Sequence, residues 1–269
     1  LSLDAGQKAI RNPARCIGCG LCVSACPAKS IKLERVAEEQ VARRLTDLLR
    51  APRLPVRIDV EKALLWVEGV TRLQLASQQR EAIRMALTHK ALVITGGPGT
   101  GKTTILRCII QILEKKGVRI HLAAPTGRAA KRMAEATGHQ ALTIHRLLEW
   151  SPAVAGFQRN AHRPLETDLV IVDEASMIDI VLMNGLLRAV PLPATLVLVG
   201  DADQLPSVGP GTVLKDILDS GRMPAVRLTE VFRQAAQSRI VLNAHRVDRG
   251  EFPDLSRPAA GGESDFHFL

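Results

Sequence analysis

The chain has 269 residues, of which 46% are hydrophobic and 23% are charged. These are ordinary values for a globular protein, so a wholly disordered chain is excluded, and the length allows one or two domains. No apolar run approaches the roughly 18 residues that a membrane-spanning helix needs, and the first residues lack the basic head and apolar core of a signal peptide. We therefore expect a cytoplasmic protein.

The formal net charge is +9, from 36 Lys and Arg against 27 Asp and Glu. A basic excess of this size favours a polyanionic partner, above all a nucleic acid, and a solvated basic surface is the alternative. Aromatic residues make up 3% of the chain and Tyr is absent. We therefore expect a single strand to be held more through its phosphates than through stacked bases.

A cluster of cysteines opens the chain. Four of the five Cys lie within eleven residues and match the pattern C-x2-C-x2-C-x3-C-P: Cys16, Cys19, Cys22 and Cys26. The pattern resembles the iron–sulfur signature of bacterial ferredoxins. Clustered Cys in a chain without a secretion signal predict metal ligands rather than disulfides. The leading expectation is one 4Fe–4S cluster, and zinc on the same thiolates or no metal at all are the alternatives.

The fourth ligand of such a cluster stays open. In ferredoxins with two clusters, the fourth Cys of a run ligates the other cluster, and this chain has no second run. Three alternatives are open. Cys26 turns back and is itself the fourth ligand, another segment or chain supplies the fourth ligand, or the site is degenerate. The sequence equally leaves open whether this head is a native fusion or a chimeric gene model.

Helices are predicted after the cysteine-rich head. Apolar residues recur at helical spacing from Ile31 to Leu49. A link containing two Pro ends this helix, and a short helix is predicted over Glu61–Trp66. A further helix is predicted from Ser77 to Leu87, with Ser77 as its N-cap.

From residue 91 onward, short apolar strands alternate with helical stretches. Nearly continuous apolar strands are typical of a parallel sheet that is buried on both faces. The predicted fold class is therefore α/β, with a parallel sheet covered by helices. The predicted strands are residues 91–95, 119–124, 169–173 and 194–200, and a last helix is predicted over 235–249.

The segment GGPGTGKTT follows the first of these strands and opens an apolar helix. It matches G-x4-G-K-S/T, in which Gly residues let backbone N–H groups face phosphates while the helix N-terminus adds positive charge. We predict that Lys102 reaches the β- and γ-phosphates of ATP and that the Thr103 hydroxyl ligates Mg²⁺. The remaining predicted nucleotide-binding residues of this segment are Gly97, Pro98, Gly99, Thr100, Gly101 and Thr104.

An acidic pair, Asp173 and Glu174, stands at the C-terminal end of a predicted buried strand. We expect Asp173 to hold Mg²⁺ through water and Glu174 to activate the attacking water as a general base. The alternative is an acidic pair that caps the following helix.

Other motifs surround the phosphate loop. LASQQREAI precedes it, and LAAPTGRAAKRM, TIHRLL, VDEAS, VGDADQLPSVGPG and RLTEVFRQ follow it in that order. In this set and order the segment from about residue 32 to residue 269 resembles the first motor domain of a superfamily 1 DNA helicase, closest to the RecD/TraA type.

The resemblance implies a RecA-like P-loop NTPase domain that translocates 5′→3′ on single-stranded DNA. It also implies that Gln79 reads adenine, that Gln204 senses the γ-phosphate, and that Arg233 contacts the γ-phosphate near the domain junction. From the residues alone, a purely structural role for His145 is an open alternative. The DNA contacts that the resemblance implies are Pro125, Thr126, Gly127, Arg128, Thr143 and His145.

The family's second RecA-like domain should begin where this chain stops, and stepping needs two such domains. We therefore expect a fragment that unwinds DNA only with a missing C-terminal motor domain or a second polypeptide. An iron–sulfur electron-transfer protein and a nucleotide-dependent DNA-binding module that needs a partner are the alternatives. The expected domains are a cysteine-rich segment (1–30), a helical linker (31–68) and the motor domain (69–269).

Overall fold

The computed structural model describes residues 2–3, 9–10, 33–53, 55–230, 239–248 and 250–255. The four clustered Cys and Arg233 lie outside the described residues. Within the described part of the chain, no helix is long and apolar enough to cross a membrane. Near the N-terminus, β1 (Ser2–Leu3) and β2 (Ala9–Ile10) form a small antiparallel pair.

A six-stranded sheet is the centre of the fold. Its strands are β3 (Ala91–Gly96), β4 (Ile120–Ala124), β5 (Ala141–Thr143), β8 (Leu169–Val172), β9 (Thr195–Gly200) and β10 (Ala225–Leu228). They run in the spatial order β10–β3–β9–β8–β4–β5, and every neighbouring pair is parallel. A separate hairpin consists of β6 (Trp150–Ser151) and β7 (Gly156–Phe157). The predicted α/β class with a parallel sheet is therefore confirmed.

The two edge strands, β5 and β10, were not among the predicted strands. Side chains of β10 alternate between exposed and buried, and those of β5 are all half-buried. An edge strand that is covered on one face lacks the continuous apolar run by which the central strands were recognised.

The helices predicted over 61–66 and 77–87 are present, and the first of them is longer than predicted. Of the helices predicted over 31–49 and 235–249, residues 31–32, 235–238 and 249 lie outside the described part of the chain. The helices of the described residues are α1 (Leu33–Arg50), α2 (Val60–Thr71), α3 (Ser77–Thr88), α4 (Lys102–Glu114), α5 (Gly127–Thr137), α6 (Ile144–Leu147), α7 (Ile180–Ala189), α8 (Val213–Asp219) and α9 (Arg239–Asp248). The prediction that Ser77 caps α3 is wrong. Ala76 precedes the helix, and its N–H donates to Gln79 Oε1 at 3.1 Å, so Ser77 is already helical.

Helices cover both faces of the sheet. Leu92 and Ile94 of β3 join one apolar cluster with α2, α3 and α4, whereas Ala91 and Val93 join the other with α1, α7 and α8. Alternate side chains of one strand are thus buried on opposite faces, which explains why the whole strand is apolar. Since α1 and α2 contribute to these clusters, they pack on the sheet, and the domain boundary at residue 69 stays a prediction.

Parallel pairing brings the ends of the strands to one side of the molecule. Gly96 of β3 is in register with Leu228 of β10, and Thr95 is in register with Gly200 of β9. The loops that follow these strands therefore start side by side, where ligands collect in open parallel sheets. We call this side the carboxyl edge.

Candidate nucleotide and DNA site

The phosphate loop leaves β3 at a point of close backbone approach. A Cβ on Gly96 would lie 2.8 Å from both Leu228 O and Thr100 Oγ1, so no side chain fits there. Gly99 and Gly101 adopt φ values of 76° and 85°, a region that Gly enters without strain. The Thr100 hydroxyl donates to Gly97 O at 2.9 Å. These contacts hold the loop curled in front of the N-terminus of α4.

Lys102, the first residue of α4, points back over this loop. Its Nζ donates to Gly97 O at 3.0 Å and also to Gly96 O. The Lys102 ammonium and the positive N-terminal end of α4 therefore both lie next to the space that the phosphate loop encloses. Both acceptors are neutral carbonyls, and an ionised phosphate is a stronger partner for an ammonium.

Asp173 follows β8 at the carboxyl edge. Its Oδ1 accepts the N–H of Glu174 at 2.9 Å. Burial raises the pKa of Asp173, while this backbone N–H and the Lys102 ammonium act in the opposite direction. Desolvation makes the ionised carboxylate costly, and a bound cation would remove that cost.

Glu174 has φ 52° and ψ 41°, the left-handed conformation. Such a backbone costs a residue other than Gly on the order of 1–3 kcal/mol and is concentrated at functional sites. Its side chain makes no capping bond to the short 3₁₀ turn that follows, Ala175–Met177. The next helix, α7, is instead capped by Asp179, whose Oδ1 accepts the N–H of Leu182 at 2.7 Å. Helix capping therefore does not explain why a glutamate occupies position 174.

Gln204 lies in the loop after β9. Its Oε1 accepts a hydrogen bond from Ser176 Oγ at 3.0 Å, which joins this loop to the turn after Glu174. The same loop is tied to β3, because Ala202 N donates to Thr95 Oγ1 at 3.0 Å. The loops after β3, β8 and β9 are thus linked by hydrogen bonds.

The structure places Gln79 behind the phosphate loop. The residue is only 2% exposed, and its Nε2 donates to Thr100 O at 3.1 Å. Its Oε1 accepts the N–H of Ala76, as described above. Gln79 therefore braces the phosphate loop against α3, and its role in adenine recognition stays a prediction.

A cleft of about 920 Å³ opens between the phosphate loop and α9. Small-molecule sites commonly have volumes of roughly 300–1,000 Å³. Its lining includes Gly97, Gln204 and Thr229, together with Arg239 and Asn243 of α9. The cleft therefore combines the phosphate loop with polar groups from three other segments.

The predicted DNA-contacting residues lie at the carboxyl ends of β4 and β5. Thr126 caps α5 by accepting the N–H of Ala129 at 3.2 Å, and Thr143 caps α6 by accepting the N–H of Arg146 at 3.2 Å. Both hydroxyls thus have a structural role. Pro125 lies between β4 and this cap and is half-buried.

The start of α5 is exposed to solvent. Gly127 and Arg128 are exposed, and nothing lies within 4 Å of a Cβ built on Gly127. Backbone N–H groups at the start of a helix and exposed Arg and Lys side chains are the usual phosphate contacts. Lys131 and Arg132 on the same helix are also exposed.

His145 belongs to an aromatic group that sequence analysis missed. Its ring centroid lies 6.3 Å from that of Trp150 and 5.6 Å from that of Phe157, and the Trp150 and Phe157 centroids are 5.1 Å apart. Trp150 is 40% exposed. Exposed aromatic rings of this kind are the usual stacking partners of single-stranded bases. The hairpin that carries Trp150 and Phe157 has strands of only two residues, too short to give a sequence signal.

Comparison with known families and proteins agrees with these motifs. Residues 79–210 match the family described as an AAA domain, and residues 9–32 match the 4Fe–4S binding domain. The ATP-dependent RecD2 DNA helicase of Deinococcus radiodurans is 43% identical over 182 residues, which cover 68% of this chain and 25% of that protein. The RecBCD enzyme subunit RecD of Mycolicibacterium smegmatis is 40% identical over 224 residues, 73% of this chain and 40% of that protein.

The chain thus spans between a quarter and two fifths of the length of these curated relatives. Among solved structures, the crystal structure of Pif1 helicase from Candida albicans matches with a TM-score of 0.51 and 26% identity. That match covers 69% of this chain and 48% of the other.

Asp173→Asn tests whether the half-buried, desolvated carboxylate at position 173 serves to bind a ligand. Because burial raises the pKa of Asp173, the folded state binds the proton more tightly than the unfolded chain does. The ionised group therefore lowers stability above the unfolded-state pKa. We expect the Asn variant to unfold at higher urea than wild type at pH 7 without ligand, and this gain to disappear below about pH 4. Mg²⁺-dependent nucleotide affinity should fall by about 10- to 100-fold.

Asp168→Asn is the matched control. Hydrogen bonds from Arg119 hold the pKa of Asp168 below its usual range, so its carboxylate contributes stability that is present above the unfolded-state pKa and lost as the pH falls. This variant should be less stable than wild type at pH 7. Equal destabilisation by both substitutions would contradict our account of Asp173.

Proposed function

The chain carries a motor domain of the RecD-type superfamily 1 helicases, and from this premise we propose that it binds and hydrolyses ATP as part of an ATP-dependent DNA helicase. The main observation behind the proposal is the set of residues that meet at the carboxyl edge. There the phosphate loop, the desolvated Asp173 and the left-handed Glu174 follow strands of one parallel sheet. ATP and DNA as substrates imply a cytoplasmic site of action.

The residues at this edge suit a magnesium nucleotide. The curled loop, Lys102 and the start of α4 present positive charge to a triphosphate. The Thr103 hydroxyl and the Asp173 carboxylate are hard oxygen donors of the kind that Mg²⁺ prefers. Bound Mg²⁺ would supply charge neutralisation at the β- and γ-phosphates.

Hydrolysis is proposed as an in-line attack of water on the γ-phosphorus. The Glu174 carboxylate takes the proton of the attacking water while the oxygen–phosphorus bond forms, and the bond from the γ-phosphorus to the bridging oxygen breaks to release ADP. Lys102 neutralises the charge that develops on the phosphate oxygens. Arg233, by resemblance, adds a second cation at the γ-phosphate.

The link from nucleotide to DNA is proposed to run along the same edge. Gln204 is hydrogen-bonded to Ser176, two residues after Glu174, and the exposed start of α5 follows β4, the strand next to β8. Single-stranded DNA would lie across Arg128 and His145, with its phosphates on the basic side chains. Translocation from 5′ to 3′ is part of the proposal and rests on the resemblance to RecD.

We further propose that the N-terminal segment holds a 4Fe–4S cluster, because residues 9–32 match that family and four thiolates are the expected donor set. Cys108 is not a candidate for a missing ligand. It is fully buried in α4, and burial raises the pKa of its thiol to about 11. No group of three or more His, Cys, Asp or Glu within the described part of the chain is placed to hold a metal.

Lys102→Ala tests the nucleotide site. Losing a charged donor to the phosphates should lower affinity for a fluorescent ATP analogue with Mg²⁺ by about 10- to 100-fold. Lys116→Ala, an exposed lysine just beyond the other end of α4, is the control and should bind like wild type. Equal binding by wild type and Lys102→Ala would remove the phosphate-loop assignment.

Glu174→Gln tests the general base. This variant should retain nucleotide binding, whereas hydrolysis by the complete protein should fall by roughly 100-fold.

Arg128→Ala tests the DNA surface. We expect affinity for single-stranded DNA to fall about equally for all base sequences, and the slope of log affinity against log salt to decrease by about one unit, because one phosphate contact is lost. Arg222→Ala removes the same charge before β10, at the opposite end of the strands, and should leave the slope unchanged. Fluorescence anisotropy at several salt concentrations gives both slopes. Identical slopes for the two variants would exclude Arg128 from the interface.

Replacing Cys16, Cys19 and Cys22 by Ser tests the cluster. The variant should lose bound iron and the broad visible absorption that dithionite bleaches. Nucleotide affinity should change by less than about 0.5 kcal/mol, the usual limit for distant sites. Stoichiometric zinc in the purified wild type would favour the zinc alternative, and a more than tenfold change in nucleotide affinity would show that the head regulates the motor.

A further inference from the structure

The hairpin that follows α6 presents a tryptophan whose indole is only partly covered. Trp150 is the first residue of β6, lies opposite Phe157 of β7 in the antiparallel register, and is 40% exposed. The plane of its indole makes an angle of 69° with the Phe157 ring and of 76° with the His145 ring. Neither neighbour therefore occupies a face of the indole in a parallel stack, which is the arrangement that a nucleobase adopts on an aromatic side chain.

Two contacts hold this hairpin in place. Phe157 packs into a notch on α7, because a Cβ on Gly185 would lie 2.7 Å from Phe157 Cε2 and would displace the ring. Gly in the interior of a helix costs about 1 kcal/mol relative to Ala, and the close approach of Phe157 explains its presence here. Glu149, directly before Trp150, has φ 53°, and its Oε1 accepts a hydrogen bond from Arg159 Nε at 2.7 Å. The hairpin that carries Trp150 is thus anchored on both of its strands.

The hairpin lies at the carboxyl edge, next to the proposed path of the DNA. Ala124 at the end of β4 is in register with Thr143 at the end of β5, so α5 and α6 begin side by side. Arg128 is exposed at the start of α5, and Arg146 is exposed on α6, four residues before Trp150. Exposed cations beside an exposed aromatic ring are typical of surfaces that bind a single strand, whose phosphates and bases they contact respectively.

We propose that Trp150 is a stacking platform for one unpaired nucleobase of a strand whose phosphates lie on Arg128 and Arg146. The inference deepens the proposed function and rests on it, because it needs single-stranded DNA at the carboxyl edge. The contacts predicted for α5 are to phosphates, and Trp150 adds a contact to a base. Because every base has a flat aromatic face, this platform does not impose a base sequence.

The test separates contacts to bases from contacts to phosphates. Fluorescence anisotropy with the whole chain gives affinities for a labelled oligothymidine and for an abasic strand of the same length, which carries the same phosphates without bases. For Trp150→Ala we expect the affinity for oligothymidine to fall by about 5- to 150-fold, the range for one lost stacked base, and the affinity for the abasic strand to stay within about twofold. Trp150→Phe keeps an aromatic ring and should retain most of the affinity for oligothymidine.

Trp66→Ala is the matched control. Trp66 of α2 is the other tryptophan of the chain, and its exposed fraction of 38% is close to that of Trp150. It stands on the opposite side of the sheet, because α2 packs on one face and Phe157 packs against the apolar cluster on the other. The control should change neither affinity. Both alanine variants should bind the Mg²⁺–ATP analogue like wild type, which reports that the motor domain is folded.

A second measurement leaves Trp150 in place. In Trp66→Phe the indole of Trp150 is the only one in the chain, so tryptophan emission reports this side chain alone. A base that stacks on an indole quenches its emission. We therefore expect oligothymidine to quench the emission at saturation and the abasic strand to leave it nearly unchanged.

Other outcomes overturn the inference. Equal losses of affinity for the two strands, an effect of Trp150→Ala no larger than that of Trp66→Ala, or equal quenching by both strands would show that Trp150 does not stack on a base. A wild type that binds both strands equally well would overturn it too, while leaving the phosphate contacts intact. A wild type that binds neither strand would refute the DNA binding in the proposed function itself.

Discussion

Every strand of the central sheet runs parallel to its neighbours, and every strand therefore ends on the same side of the molecule. The arrangement is possible because helices bury both faces, so that hydrophobic contacts hold strands that no tight turn connects. The loops after β3, β8 and β9 leave the same edge of the sheet. Two hydrogen bonds join them: Ala202 N–H donates to Thr95 Oγ1, and Ser176 Oγ donates to Gln204 Oε1. The sheet itself thus determines where the phosphate loop, Gln204 and the acidic pair Asp173 and Glu174 lie.

The site holds unfavourable features that the fold offsets. Asp173 is desolvated, and Glu174 has a left-handed backbone. Each lowers the stability of the ligand-free chain, and the buried sheet beneath them supplies the free energy that keeps them in place. Such local conflicts are expected where function, rather than stability, determines the residue.

Sequence alone predicts most of this fold and the positions of its motifs. The central strands were recognisable because burial on both faces leaves a continuous apolar run, and the phosphate loop because its glycines and lysine have fixed spacing. The edge strand β10 escaped recognition because its side chains alternate in exposure. The roles of Arg233 and of the four clustered Cys stay predictions, since these residues lie outside the described part of the chain.

Contacts between segments that are distant in the chain could not be predicted from the sequence. Nothing in the motif around Gln79 indicates that its amide is buried against Thr100 or that the preceding Gln78 binds Thr229. The aromatic group of His145, Trp150 and Phe157 likewise depends on a hairpin whose strands have two residues each. These contacts follow from the packing of segments that are far apart in the chain, and local periodicity carries no information about them.

The burial of Cys108 in α4 has a consequence for thiol chemistry. Alkylating reagents attack the thiolate, and a thiol with a raised pKa and no solvent contact is almost entirely protonated and shielded at neutral pH. In the native protein, maleimide or iodoacetamide would therefore leave the motor domain unlabelled. The stoichiometry of labelling would then count free thiols in the cysteine-rich head alone, and its change on unfolding would reveal the one sulfur that the helix conceals.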